Sequence, residues 1–335
     1  MLGAVLALLS AAAFALNNAA ARRGVVTGTP IQGMAVTIPL GVVCFLAVAI
    51  ISGEIFRIAQ FPRSATAWMA GVGLVHFIFG RYCNYRANHE AGVNLTAPVV
   101  QLQVVVTLVL AVVILHEPCT VLQAIGGVLI LAGSFITQRQ PPRRRPETSD
   151  GAAPVEVAPP KPVFVPHYVS GYVFASLAAL GYGSSPILAR FALAQTGVTG
   201  GILGGLIAYS AAAVVVVVIL MVWPSLRQNA MALKRENVRW FVASGVFVAI
   251  AQGFFYSAVA VAPILVVAPI LQLSLVFRLI FAMWLTPDHE VFGWLVIAGA
   301  AISILGSLTV AIDSHIVLAA FHVPDAIARL LLLHV

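Results

Sequence analysis

The residues best placed to do chemistry are polar side chains that recur at matched positions inside apolar runs. Ala97-Pro98-Val99-Val100-Gln101-Leu102 reappears 171 positions later as Ala268-Pro269-Ile270-Leu271-Gln272-Leu273. Gln101 and Gln272 each stand three residues after a proline, whose missing N–H and bulky ring open the backbone ladder. A kinked helix start beside a carboxamide can line a polar cavity; the alternative is an inter-helix hydrogen bond, worth about 0.6 kcal/mol on average in membranes. Tyr85 and Tyr256 share the same offset. They could stack on a solute, or sit at the membrane interface as tyrosines commonly do. Asn17-Asn18 and Ser184-Ser185 put small polar groups mid-helix at corresponding places, for binding or for close helix packing.

Ionisable groups sharpen the choice, because in lipid they are functional suspects by default. Arg278 follows Pro269 by nine residues within an apolar run, and its counterpart in the earlier copy is the neutral Thr107. It reads either as a bidentate anchor for a carboxylate or phosphate or as a side chain snorkelling to the nearer interface. Arg278 joins Gln101, Gln272, Tyr85, Tyr256, Asn17, Asn18, Ser184 and Ser185 as the candidate substrate-binding set. Arg81 and Arg86 fall near a helix end and read as interfacial; His76, mid-helix, reads as a proton relay or as a histidine bonded to a neighbouring helix. All eleven acidic residues lie at helix ends, in loops or in the tail, so no carboxylate is expected mid-span to load protons. Glu117 and Glu290 each precede a helix, where a carboxylate offsets the positive end of the dipole and accepts orphan N–H bonds. No HExxH pair or cysteine–histidine spacing suggests a metal, and no catalytic residue, metal or cofactor is expected.

The elements that must position these groups are membrane helices. Of 335 residues, 61% are hydrophobic and 9% charged, with a mean hydropathy of +1.02; a soluble domain carries about 25% charged residues. The net charge of +7 sits almost entirely between apolar runs, as topology-setting charge does, so nucleic acid is excluded as a partner. Apolar runs and breakers place helices near 1–21, 31–51, 67–86, 92–115 and 119–137, then near 169–191, 200–223, 239–260, 263–285 and 291–312. Arg22-Arg23 follows the first run, on the wrong side for a signal peptide, so that segment reads as a retained helix. The fold class is all-α integral membrane, about ten transmembrane helices in two halves. The chain divides into a first five-helix repeat (1–137), a Pro/Arg-rich linker (138–167), a second repeat (168–312) and a tail (313–335) read as an interfacial helix. Since five is odd, the second copy enters the membrane from the opposite side, giving an inverted pair of the kind common in secondary transporters.

This plan resembles a known family. The Ala-Pro-x-x-Gln start of helix four, the run ending in His116-Glu117 (again His289-Glu290), and the following helix with Gly126 and Gly133-Ser134 (again Gly299 and Gly306-Ser307) are similar to the drug/metabolite transporter superfamily, in its EamA-type branch. The resemblance covers about residues 1–312; the linker is not part of it, and the aromatic expected early in helix one is met only by Phe14. It implies a multi-pass permease of the cell membrane (the inner membrane in a bacterium), with helices one, three and four and six, eight and nine around the path. A small-molecule substrate and the lipid bilayer are then the partners, with a homodimer left open. The lack of mid-span acids favours an anionic or zwitterionic cargo. The rival class is a membrane-embedded enzyme acting on a lipid-linked substrate, for which no convergent catalytic set is visible.

Loop charge predicts the orientation. Arg22, Arg23, Arg139, Arg143, Arg144, Arg145, Lys161, Arg227, Lys234, Arg235 and Arg239 fall on one side of the ten-helix plan, against chiefly Arg57 and Arg63 on the other. The positive-inside rule puts the linker in the cytoplasm, whereas the cytoplasmic termini described for the family would put it outside. A cysteine introduced at Ser149 should therefore resist an impermeant thiol reagent in intact cells; ready labelling there reverses the orientation.

Overall fold

The computed structural model describes residues 2–91, 96, 99–117, 119–138, 167–194, 196–271, 273–274, 277, 281, 294–311, 324 and 332. Every element assigned among them is helical: α1 (Leu2–Thr27), α2 (Pro30–Ile51), a 3-10 turn (Glu54–Gln60), α3 (Arg63–Val72), a π-helical segment (Gly73–Gly80), α4 (Arg81–Ala91), α5 (Leu102–Leu115), α6 (Val121–Gln138), α7 (Tyr168–Leu193), α8 (Gly197–Val222), α9 (Pro224–Met231), α10 (Arg235–Val261), α11 (Ile264–Leu271) and α12 (Trp294–Ala311). Five helices among the described residues are long and apolar enough to cross a membrane: Leu2–Val25, Pro30–Ile51, Tyr168–Leu193, Thr199–Val222 and Arg235–Val261. Leu102–Leu115, Val121–Gly133 and Ile297–Gly306 are shorter apolar stretches. The linker and tail expected at 138–167 and 313–335 lie almost wholly outside it too.

Local signals set the boundaries. At the start of α2, Thr29-Pro30-Ile31-Gln32 forms a capping box: Thr29 Oγ1 accepts the Gln32 N–H (3.3 Å) while Gln32 Oε1 accepts the Thr29 N–H (3.0 Å). Pro30 sits at the first turn, where its missing N–H costs nothing. The helix ends at Ser52 and Gly53, whose φ of 74° is a conformation glycine adopts without a Cβ penalty. The third helical run extends from 63 to 91, past the 67–86 anticipated, because the polar Arg81–Ala91 stretch stays helical.

Packing interleaves the two halves of the chain. The first helix, α1, lies along α10, with Ser10 Oγ–H donating to the Ala251 carbonyl (2.7 Å) and Ser244 Oγ–H to Asn17 Oδ1 (2.7 Å). The run α3–α4 lies along α7, α2 along α8 and α6 along α12. Small residues permit this closeness: Gly306 sits against the Gly126 carbonyl, and the Gly41 backbone meets the ring of Tyr209. A buried aromatic group fills the space between α2, the π segment, α8 and α10. Phe77 stacks on Tyr209 with ring centroids 4.0 Å apart, and Phe45 lies 5.4 Å from Tyr209 and 6.4 Å from Tyr256.

Two glycines on one helical run test this account. A Cβ on Gly73 would strike the Ala208 carbonyl, whereas one on Gly71 would meet only Leu188 Cδ1 at 3.8 Å. Gly73→Ala should destabilise the protein by about 1–3 kcal/mol through overpacking. Gly71→Ala should be neutral or stabilising by up to about 1 kcal/mol. Thermal unfolding in detergent compares them; equal effects would show that close approach at Gly73 is not what limits the packing.

Candidate functional site

A cavity of about 220 Å³ opens between the halves, with walls from α1, the π segment, α4, α5, α7, α10 and α11. That is smaller than the roughly 300–1,000 Å³ of drug-sized ligand sites, so it suits a small metabolite. Polar groups converge on it from several walls: Asn17 and Asn18 from α1, Gln103 and Thr107 from α5, Ser185 from α7 and Gln252 from α10. From α4 come Arg81, Asn84, Tyr85 and Asn88, which share one helical face at three- and four-residue spacing.

Arg81 corrects the interfacial reading. It is 4% exposed and lines the cavity. Its guanidinium donates through Nη1 to Thr37 Oγ1 (3.1 Å) and lies 4.8 Å above the Phe77 ring centroid, with Tyr209 at 5.9 Å. A charge at the centre of a membrane helix costs about 3 kcal/mol on insertion scales; one charged hydrogen bond returns about 1.5–3 kcal/mol, and a desolvated cation–π contact about 2. The cation is thus held at little net cost on the cavity wall. Among the described lining residues there is no acid.

The local backbone explains why Arg81 points inward. His76 and Arg81 are five residues apart, which on an α-helix falls about 140° round the axis. Across the π segment the Arg81 N–H bonds back to the His76 carbonyl, and an i→i+5 turn stacks the two residues on one side. A second irregularity faces it. Pro186 has no N–H, so the Tyr182 carbonyl four residues earlier loses its helical donor; Ser185 Oγ–H supplies one at 3.2 Å. Ser185 Oγ lies 2.8 Å from His76 Nδ1, and Gln252 Nε2 lies 2.8 Å from His76 Nε2, which joins three helices at the cavity wall.

The candidate set divides by position. Gln101 is buried on the cavity, its Oε1 accepting from Gln103 Nε2 (3.4 Å); Tyr85 and Asn17 also line it. Asn18 lines the cavity while its Nδ2 donates to the Phe14 carbonyl (2.8 Å). Ser185 is on the wall, but Ser184 donates back to the Leu180 carbonyl (2.8 Å) and is not among the lining residues. Tyr256 sits in the aromatic group beside Phe45 and Phe255, its hydroxyl buried without a hydrogen-bond partner among the described residues. Gln272 and Arg278 lie outside the described residues. Sequence reasoning passed over Asn84, Asn88, Gln103 and Gln252. The spacing Arg81-x-x-Asn84-x-x-x-Asn88 was the available signal for the first two.

Glu117 closes one end of the assembly. His116 takes a left-handed conformation (φ 52°), and the Glu117 N–H bonds back to the Ala111 carbonyl (3.2 Å). Glu117 Oε1 accepts the Ile264 N–H (3.3 Å) and lies 3.9 Å from Arg190 Nε, while Arg190 Nη1 donates to the Val259 carbonyl (2.7 Å). A helix N-terminus is where the sequence placed this carboxylate's role; the helix concerned is α11, in the other half of the chain.

Residues 1–139 match the EamA-like transporter family. That match covers the first half of the chain and agrees with the resemblance read there from the helix-four and helix-five motifs. No curated protein matches the sequence. In fold, the chain is similar to a solved structure titled only as the crystal structure of a protein, with a TM-score of 0.63 over 96% of this chain and 98% of that one. Sequence identity there is 16%, so the likeness is one of fold.

If the Arg81 charge serves binding and not the fold, replacing it with an apolar side chain of similar length should be tolerated. Arg81→Met should keep a thermal stability within about 1 kcal/mol of the starting protein, or raise it by about 1–4. Unfolding at a lower cost than wild type by about 3–5 kcal/mol, the penalty of a broken buried pair, would mark the guanidinium as structural.

Proposed function

We propose that the protein is a secondary transporter that moves a small organic metabolite by alternating access between two inverted five-helix repeats, 1–137 and 168–312. The cargo is anionic or zwitterionic. The observation that carries this reading is the polar cavity walled by both halves, with Arg81 as its one cation and no acid among the described lining residues.

The pairing of helices supports the repeat. Exchanging the two sets turns α1 against α10 into α3–α4 against α7, and α5 against α7 into α1 against α11; the pairs α2–α8, α5–α11 and α6–α12 map onto themselves. Two bundles related in this way can rock about a shared site, exposing it to either side in turn. The amide-rich wall offers both donors and acceptors, which suits a cargo whose uncharged part also forms hydrogen bonds.

Reconstituted into liposomes, the protein should take up labelled amino acids or small organic acids, and should fail with matched cationic amines. Arg81→Gln should reduce uptake of the preferred solute at least tenfold, and Arg81→Lys nearly as much, because a point charge does not reproduce the planar fork. Folded protein that carries no solute of the panel overturns the carrier reading. Unchanged uptake in Arg81→Gln overturns the anionic cargo alone.

A further inference from the structure

We propose that His76 is a proton-binding site coupled to the cargo, so that an anionic solute and a proton cross together. This rests on the carrier reading above and names its coupling ion. The sequence offers no carboxylate mid-span to carry a proton, and the described cavity lining contains none. His76 is the remaining side chain on that wall that is neutral and can accept a proton on a ring nitrogen.

The hydrogen bonds around the ring fix its resting state. Ser185 Oγ–H is committed to the Tyr182 carbonyl (3.2 Å), so Ser185 Oγ accepts from His76 Nδ1–H (2.8 Å). Gln252 Nε2–H points at His76 Nε2 (2.8 Å), which must then present its lone pair. The imidazole is neutral, and one atom is left over: Gln252 Oε1, buried and without a hydrogen-bond partner among the described residues. A histidine serving only to join helices would be expected to hold acceptors and donors of fixed polarity. Here one partner is an amide that reverses polarity when it turns over.

Protonation uses that freedom. A proton entering from the cavity water adds to the Nε2 lone pair, and the Gln252 amide rotates so that Oε1 accepts the new Nε2–H. The Nδ1–H to Ser185 Oγ to Tyr182 carbonyl chain is unchanged. On release the proton returns to water on the other side and the amide turns back. No bond other than N–H is made or broken.

Coupling follows from the charge already present. The titratable and charged groups that share the described cavity wall are Arg81 and the phenols of Tyr85 and Tyr182, the Tyr182 ring lying 4.7 Å from the imidazole. The walls from α1, α5, α10 and α11 contribute amides, hydroxyls and apolar groups. With the cavity empty, a second cation beside Arg81 is opposed by repulsion in a low-dielectric space. An anion bound at Arg81 removes that opposition. The loaded and protonated state is then the favoured one.

Two measurements test this. The first needs no cargo: nitrogen NMR of histidine-labelled protein in lipid nanodiscs, with His76→Gln to assign the signal. The His76 ring should pass from the neutral Nδ1–H tautomer to the imidazolium as pH is lowered in the folded protein, and Gln252→Leu should suppress the change. A ring that stays neutral at every pH where the protein is folded overturns the proposal. The second uses succinate and glutamate as probes in liposomes containing a pH dye. Entry of either anion should acidify the interior, and His76→Gln should abolish the acidification. Entry without acidification, or equal acidification in His76→Gln, overturns the coupling while leaving the carrier intact. If neither anion enters, the choice of cargo fails, and the proton site is decided by the NMR titration.

Discussion

Arg81 is a full positive charge held among apolar helices, and much of the packing near the cavity is arranged around it. The guanidinium needs a hydrogen-bond acceptor, an aromatic face and access to water, and it has Thr37, Phe77 and the cavity. Phe77 in turn is fixed by Tyr209, and Tyr209 by the close approach of α2 at Gly41. Thr37 anchors the arrangement from the other side, its hydroxyl bonding the Gly33 carbonyl (2.7 Å). A chain of contacts therefore runs from a glycine on α2, through two stacked rings, to the charge on the cavity wall.

Irregular backbone lies where it can be tolerated. Inside a bilayer, broken helical hydrogen bonds survive only if protein or cavity water re-satisfies them. The π segment Gly73–Gly80 and the gap left by Pro186 face each other across the α4–α7 contact, at the cavity. The first redirects a charged face inward. The second leaves a free carbonyl that orients the Ser185 hydroxyl, and through it the His76 ring. Each departure from regular helix thereby positions a polar side chain.

At the end of the cavity near α11, the tie is electrostatic. Glu117 touches Arg190 and the first turn of α11, and Arg190 bonds the carbonyl at the end of α10. Four elements from both halves meet through one carboxylate and one guanidinium. Such a contact is strong only while water is kept from it, which gives that end of the molecule a join that depends on its own burial.

The sequence by itself determined what depends on composition and local chain chemistry. Its apolar runs pointed to a helical membrane protein, and its matched Pro-x-x-Gln motifs recur 171 residues apart. The polar wall was partly legible as well, since Gln101, Tyr85, Asn17, Asn18 and Ser185 stand out as polar groups in apolar surroundings. Which of them meet in space was decided by the tertiary structure. Ser184 and Ser185 are neighbours about 100° apart on a helix, so Ser185 lines the cavity and Ser184 does not. Tyr85 and Tyr256 share an offset but not an environment, because the aromatic group around Phe45 receives one and the cavity the other. Arg81 was read as interfacial from its place near the expected helix end; the helical run continues to Ala91, and the i→i+5 segment before it turns the side chain toward the cavity. A side chain's type is written in the chain; the direction it faces depends on backbone hydrogen bonds that only the packed helices select.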